Sequence, residues 1–152
     1  MAPENVHLTL KFLGSCPDEQ LELIEGKLRD GLSGCPAFAS RTNVFGAFPS
    51  PKKARVLWLG MEEGPDFERL YGHVEGSMTA IGFKAEERTF RPHITLARLK
   101  RPGRVDIEAL GSKIDSGHVV QVGEVTLFAS YLSQKGPVYE AVAKVALMSP
   151  RG

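Results

Sequence analysis

His7-Leu8-Thr9-Leu10 and His93-Ile94-Thr95-Leu96 repeat one pattern: histidine, apolar residue, threonine, leucine. With this composition, two of the four histidines would be followed in this way by chance in roughly one sequence in ten thousand. In an extended strand, side chains alternate between faces. The histidine and threonine of each motif therefore share one face, about 7 Å apart, and the leucine points to the other. Two such strands, side by side or across a cleft, would gather two imidazoles and two hydroxyls. That set suits chemistry at a phosphate. Imidazole titrates near neutrality, so one histidine, neutral, can take a proton while the other, protonated, gives one to a leaving oxygen. The hydroxyls of Thr9 and Thr95 can donate to phosphate oxygens without adding charge. The scheme requires no metal and no other cofactor. Metal ligation by His7 and His93 is disfavoured, since no acidic or cysteine ligand joins either motif.

Other residues have weaker claims. Arg98 follows the second motif, but strict alternation puts it on the face opposite His93 and Thr95, where a surface ion pair is its ordinary role; a bulge would have to turn it round. The same alternation keeps Ala97 on the motif face, where its small side chain leaves room for a phosphate. His73 and His118 have no threonine two residues on and are expected to be structural. Lys52, Lys53 and Arg55, with Arg98, Lys100, Arg101 and Arg104, make two local basic clusters. Such clusters are commonly solvated loop charge, and beside a phosphate site they would attract an RNA backbone. Phe45 and Phe48 are candidates for stacking on a base or for core packing. Trp58 is expected in the core.

The elements that must hold these residues follow from periodicity. Residues 6–13 alternate as a strand, with His7, Thr9 and Lys11 on one face and Val6, Leu8, Leu10 and Phe12 on the other. A helix start near 15–18 leads into a buried stripe of Leu21, Ile24, Leu28 and Leu32, and Gly31 and Gly34 mark its exit. A weakly patterned region and a Gly- and Pro-rich stretch over 45–51 precede a short strand at 55–59. Phe67, Leu70, Tyr71, Val74, Met78 and Ile81 predict a helix over 65–81, followed by a strand at 93–97 and a short helix near 104–114. Apolar runs at 119–132 and 138–147, joined by a turn at 133–137, predict a hairpin. Interspersed helices and hairpins indicate an α+β class with a mainly antiparallel sheet.

Composition sets the outer bounds. The chain has 152 residues, net charge +1, 42% apolar and 24% charged residues, which suits one compact domain or two small lobes sharing a core. Disorder and a strongly basic nucleic-acid wrapper are excluded. Cys16 and Cys35 form no C-x-x-C pair, which argues against a disulfide framework or structural zinc. No leader or bilayer-length apolar run is present, so the expected location is cytoplasmic, away from membranes.

Residues 3–14 (PENVHLTLKFLG) and 90–98 (FRPHITLAR), with RVLWLG at 55–60 between them, resemble the two-histidine phosphoesterases. Their closest likeness is to the RNA 2′,3′-cyclic phosphodiesterases, historically called 2′-5′ RNA ligases. The resemblance extends through 127–139, with Tyr131-Leu-Ser and Gly136-Pro-Val-Tyr139. It implies a bilobal α+β domain over residues 1–152 with pseudo-two-fold symmetry and the motifs facing a central cleft. The implied reaction is hydrolysis of RNA 2′,3′-cyclic phosphate ends, tRNA fragments among them, to 2′-phosphates. By motif order His7 would be the proton donor to the leaving 3′ oxygen and His93 the acceptor that activates water. Thr9, Thr95 and Arg98 would hold the substrate. The motifs are nearly identical, so residue types alone leave the acid and base interchangeable. Related two-histidine enzymes that act on small cyclic nucleotides or join RNA through 2′-5′ linkages are the alternatives, as is a module that binds phosphorylated RNA ends without turnover. Relatives usually carry a strand and helix before the first motif, so this chain is expected to lack them.

Overall fold

The computed structural model describes residues 3–115 and 117–149. They form an α+β fold of two compact units, each assembled from three stretches of chain.

The first unit comprises residues 1–9, 39–64 and 91–120. Its framework is an antiparallel sheet of β1 (Phe38–Phe48), β2 (Ala54–Met61), β3 (His93–Gly103) and β4 (Val119–Val122), in the order β3-β2-β1-β4. Outside β3, Leu8 forms an isolated antiparallel bridge to Ile94. One face of β1 and β2 is closed by buried Phe45, Ala47 and Met61. The short helix α3 (Ile107–Lys113) is capped by Asp106, whose carboxylate accepts from the Ala109 amide at 3.0 Å.

The second unit comprises residues 10–38, 65–90 and 121–152. A 3₁₀ turn over Asp18–Gln20 leads into α1 (Leu21–Leu32), which packs on α2 (Pro65–Thr79) and on a hairpin of β5 (Glu124–Ser133) and β6 (Gly136–Ala146). Ile24, Leu28 and Leu32 meet Leu70, Val74 and Met78, with Val125, Val145 and Leu147 contributed by the hairpin. These are the apolar stripes that the helical periods predict. Gly31 lies inside α1 rather than at its exit. A Cβ there would come within 1.9 Å of Ser77 Oγ, so the glycine allows α1 and α2 to approach closely. Gly34, at φ +78°, takes up the left-handed turn past the helix end. Cys16 and Cys35 are free thiols packed in this core.

Several sequence expectations change. The strand over 6–13 reduces to the one bridge at Leu8. The chain bends at Leu10, and Leu10 and Leu13, three residues apart, pack on the second unit's core; Phe12 is left 83% exposed. A segment that changes partner midway cannot keep one alternating face. Lys11 accordingly leaves the His/Thr face: its ammonium is buried against Glu75 and donates to the Lys84 carbonyl at 2.9 Å. Residues 38–48, expected to be weakly patterned and then looped, form the longest strand of the first sheet together with β3. A register shift between Thr42 and Phe45 breaks its period-two signal. The apolar run at 119–132 divides at Gly123 into β4 and β5.

Candidate active site

His7, Leu8 and Thr9 belong to the first unit with the whole second motif, and Leu8 and Ile94 lie side by side. Since Leu8 pairs with Ile94 in antiparallel sense, the register sets His7 opposite Thr95 and Thr9 opposite His93. Opposed residues in such a pair have Cα atoms about 5 Å apart. The four functional groups thus form a compact block on the face away from Leu8 and Ile94.

The register of β3 on β2 extends this block into a grid. His93 pairs with Gly60 and Thr95 with Trp58, so Gly60 and Trp58 share the His/Thr face. Trp58 pairs in turn with Gly46, and Phe48 with Val56. The pairing then slips: Leu57 faces Ala97 while Trp58 faces Thr95, which leaves Leu96 as the extra residue of a bulge. Beyond it Arg98 pairs with Val56, two positions from Trp58 on β2 and therefore on the same face. The bulge brings the exposed Arg98 round to the face of His93 and Thr95. It also turns Ala97 to the opposite face, so the expected space for a phosphate beside Ala97 is not there.

The two imidazoles are held in the same way. His7 Nδ1 lies 2.6 Å from the Asn5 carbonyl oxygen, and His93 Nδ1 lies 2.7 Å from that of Arg91. A carbonyl only accepts, so each Nδ1 carries a hydrogen, and Nε2 is the nitrogen able to exchange a proton. Each carbonyl comes from two residues before its histidine, so the local backbone holds one nitrogen of each ring.

His93 also has aromatic walls that the sequence reasoning missed. The Phe48 ring meets it edge-on with centroids 5.5 Å apart, the Trp58 indole lies 6.1 Å away, and the two walls are 5.2 Å from each other. Trp58 is therefore half-buried at the site, not in the core, and its buried indole N–H has no hydrogen-bond partner among the described residues. Gly46 makes room for it, since a Cβ at that position would strike the indole at 2.0 Å. Phe45, one residue earlier than Gly46, is buried on the other face, whereas Phe48 remains 44% exposed. The alternation of Phe45 and Phe48 about Gly46 was the available signal, obscured by the nearby Pro49 and Pro51.

His73 is exposed on α2, and the His118 ring contacts the Asp115 carbonyl, with Nε2 at 2.9 Å. Neither belongs to the block. Among the described residues no group of three histidine, cysteine or acidic side chains is placed to hold a metal ion, and no helix is long and apolar enough to cross a membrane.

The family model described as LigT like Phosphoesterase matches residues 1–58 and 59–139. The chain belongs to this family. Among its relatives, the LigT-like chain is 37% identical over 141 residues to the RNA 2′,3′-cyclic phosphodiesterase of Methanothermobacter thermautotrophicus, covering 90% of this chain and 76% of that protein. It is 33% identical over 146 residues to the protein of that name in Bacillus subtilis, covering 95% and 78%. Its fold is similar to the crystal structure of TT0787 of Thermus thermophilus, with a TM-score of 0.83, 30% identity and coverage of 99% of this chain and 82% of that one. The structure of Escherichia coli LigT complexed with 3′-AMP follows this LigT-like chain with a TM-score of 0.77 and 27% identity, over 96% of this chain and 79% of that one.

Proposed function

We propose that this chain is a hydrolase that opens RNA 2′,3′-cyclic phosphodiester ends to 2′-phosphomonoesters by paired-histidine acid–base catalysis. The observation that carries the reading is the Leu8–Ile94 bridge, because it sets two imidazoles and two hydroxyls on one face. The relatives named RNA 2′,3′-cyclic phosphodiesterase supply the substrate class.

In this reading the cyclic phosphate sits over the block, with non-bridging oxygens accepting from Thr9 and Thr95. Neutral His93 takes a proton from water through Nε2 as the water oxygen bonds to phosphorus. His7, protonated, gives its Nε2 proton to the 3′ oxygen as the P–O3′ bond breaks, and the phosphate stays on the 2′ oxygen. The cycle ends with His93 protonated and His7 neutral, and solvent exchange resets both. Arg98 offsets charge that develops on the phosphoryl oxygens. These protein groups supply every step, so the reaction runs without a metal ion.

The test is product analysis by phosphorus NMR on an oligonucleotide ending in a 2′,3′-cyclic phosphate. A 2′-monophosphate is expected, with turnover indifferent to EDTA. His7→Ala and His93→Ala should each lower turnover about 10²–10⁴-fold with the fold intact by circular dichroism. Full activity in His93→Ala would overturn the mechanism, and a 3′-monophosphate would reverse the assigned leaving oxygen.

A further inference from the structure

Residues 49–61 and 93–105 contain seven lysines and arginines and no aspartate or glutamate, in a chain whose net charge is only +1. β2 and β3 bring the two stretches together. Ala54 pairs with Gly103, and beyond that pair the Val105 amide donates to the Pro51 carbonyl at 2.9 Å, so the 3₁₀ turn Pro51–Lys53 lies beside residues 103–105. Between the Val56–Arg98 and Ala54–Gly103 pairs the register slips again, and the extra length of β3 carries Lys100 and Arg101. Lys52, Lys53, Lys100, Arg101 and Arg104 are all exposed, and no ion pair among the described residues involves any of them. Arg55 alternates with Val56 and faces the other side of the sheet. The nearest acid in sequence, Asp106, is taken up in capping α3.

Like charges gathered at one end of a sheet repel. An end of a sheet built this way is relieved by a polyanion. The basic end begins one row beyond the His/Thr block: the row Phe48–Val56–Arg98 lies between the Gly46–Trp58–Thr95 row and the Ala54–Gly103 pair, with successive rows about 7 Å apart along the strands. A polyanion that follows these rows passes the exposed ring of Phe48, a surface on which an unpaired base can stack.

We propose that this basic end of the sheet is a track for the backbone of a single-stranded RNA whose 3′ terminus lies over the His/Thr block. The inference rests on the proposed hydrolysis for the polarity of the strand. The track itself concerns binding. It lowers KM for RNA ends relative to free cyclic nucleotides, because a mononucleotide has no upstream phosphate to occupy it.

The experiment compares the wild-type chain with a variant carrying Lys52→Gln, Lys53→Gln, Arg101→Gln and Arg104→Gln, all distant in register from the histidines. On a 2′,3′-cyclic mononucleotide both proteins should turn over with kcat and KM equal within twofold. On a cyclic-ended ten-nucleotide RNA at low salt, the variant's KM should rise at least tenfold with kcat retained. Its dependence on log salt should flatten by about 0.7 for each phosphate that the variant no longer neutralises. An unchanged KM and salt slope would overturn the track, as would an equal loss on the mononucleotide. Fluorescence anisotropy with a labelled cyclic-ended strand reads the track without turnover, so a chain that binds but does not hydrolyse separates failure of the chemistry from failure of the track. Equal affinity for a labelled blunt duplex would overturn the single-strand assignment.

Discussion

Gly46 and Trp58 face each other across β1 and β2, with the indole lying so close over the glycine that an added Cβ would come within 2.0 Å of Cζ2. The same indole is one wall of the His93 ring. A backbone position on one strand thereby supports the orientation of an imidazole two strands away.

Gly46→Ala should therefore destabilise the chain by about 1–3 kcal/mol, the usual range for forcing a methyl group into a packed site. It should also lower kcat more than it raises KM, because the displaced indole presses on His93. Thermal unfolding with steady-state kinetics checks both effects. Trp58→Phe in the Gly46→Ala background should recover part of the stability, since the smaller ring clears the new methyl and the indole N–H, without a partner among the described residues, gives up no hydrogen bond.

Arg98 reaches the motif face only through the bulge at Leu96. With a charge-assisted hydrogen bond to phosphate worth about 1.5–3 kcal/mol, Arg98→Ala should lower kcat/KM by about ten- to a hundredfold. The loss should be equal on cyclic mononucleotide and cyclic-ended RNA, unlike that of the four-site variant. Arg98→Lys should restore only part, as an ammonium cannot present the planar guanidinium fork.

In the second unit, Lys11 and Glu75 form an ion pair whose side chains are 6% and 17% exposed. The Tyr71 hydroxyl adds a hydrogen bond to Glu75 Oε2 at 2.6 Å, and the Tyr71 ring stacks on Phe90 at 4.4 Å. Lys11→Met leaves the half-buried Glu75 carboxylate without its counter-charge and should cost about 1–3 kcal/mol in urea unfolding. Lys11→Met combined with Glu75→Leu should cost less than Lys11→Met alone, because no unpaired charge is left behind.

The same cluster sets two pH limits on stability. Desolvation pushes the Glu75 carboxyl up, but hydrogen bonds from Lys11, Tyr71 and the Glu86 amide outweigh it and hold the group below its ordinary 4.5. A group depressed on folding stabilises above its unfolded pKa, so this contribution is present above about pH 4.5 and is lost as pH falls further. Burial, helped by the hydrogen bond to Glu75, raises the Tyr71 phenol from 10 to about 12. The fold therefore favours neutral Tyr71, and that contribution is full below pH 10 and is lost between pH 10 and about 12. Urea midpoints measured across pH should show both limbs, with Glu75→Gln flattening the acid limb and Tyr71→Phe the alkaline one.

What could be read from residue order is what depends on local period. The stripes of α1 and α2 announce their buried faces because a helix repeats every 3.6 residues whatever it packs against. The turn at Gly136 and its flanking apolar runs announce the hairpin in a similar way. His7, Thr9, His93 and Thr95 stood out because one four-residue pattern occurs twice, and alternation within each short segment sets histidine and threonine on one side. β1 was obscured because the register shift after Thr42 interrupts its alternation, and glycine with two prolines suggested a loop.

Residue order was enough to single out the candidate groups, their pairing within each motif and the family to which the chain belongs. Which groups share a face was settled by the folded chain. Arg98 and Ala97 exchanged faces because a bulge at Leu96 adds one residue to β3, and one residue inverts every side chain beyond it. Lys11 left the site because the chain turns at Leu10 into another core, and Trp58 entered it because Gly46 on a neighbouring strand has no side chain. Strand pairing and close approach link residues far apart in the chain, and no local period records them.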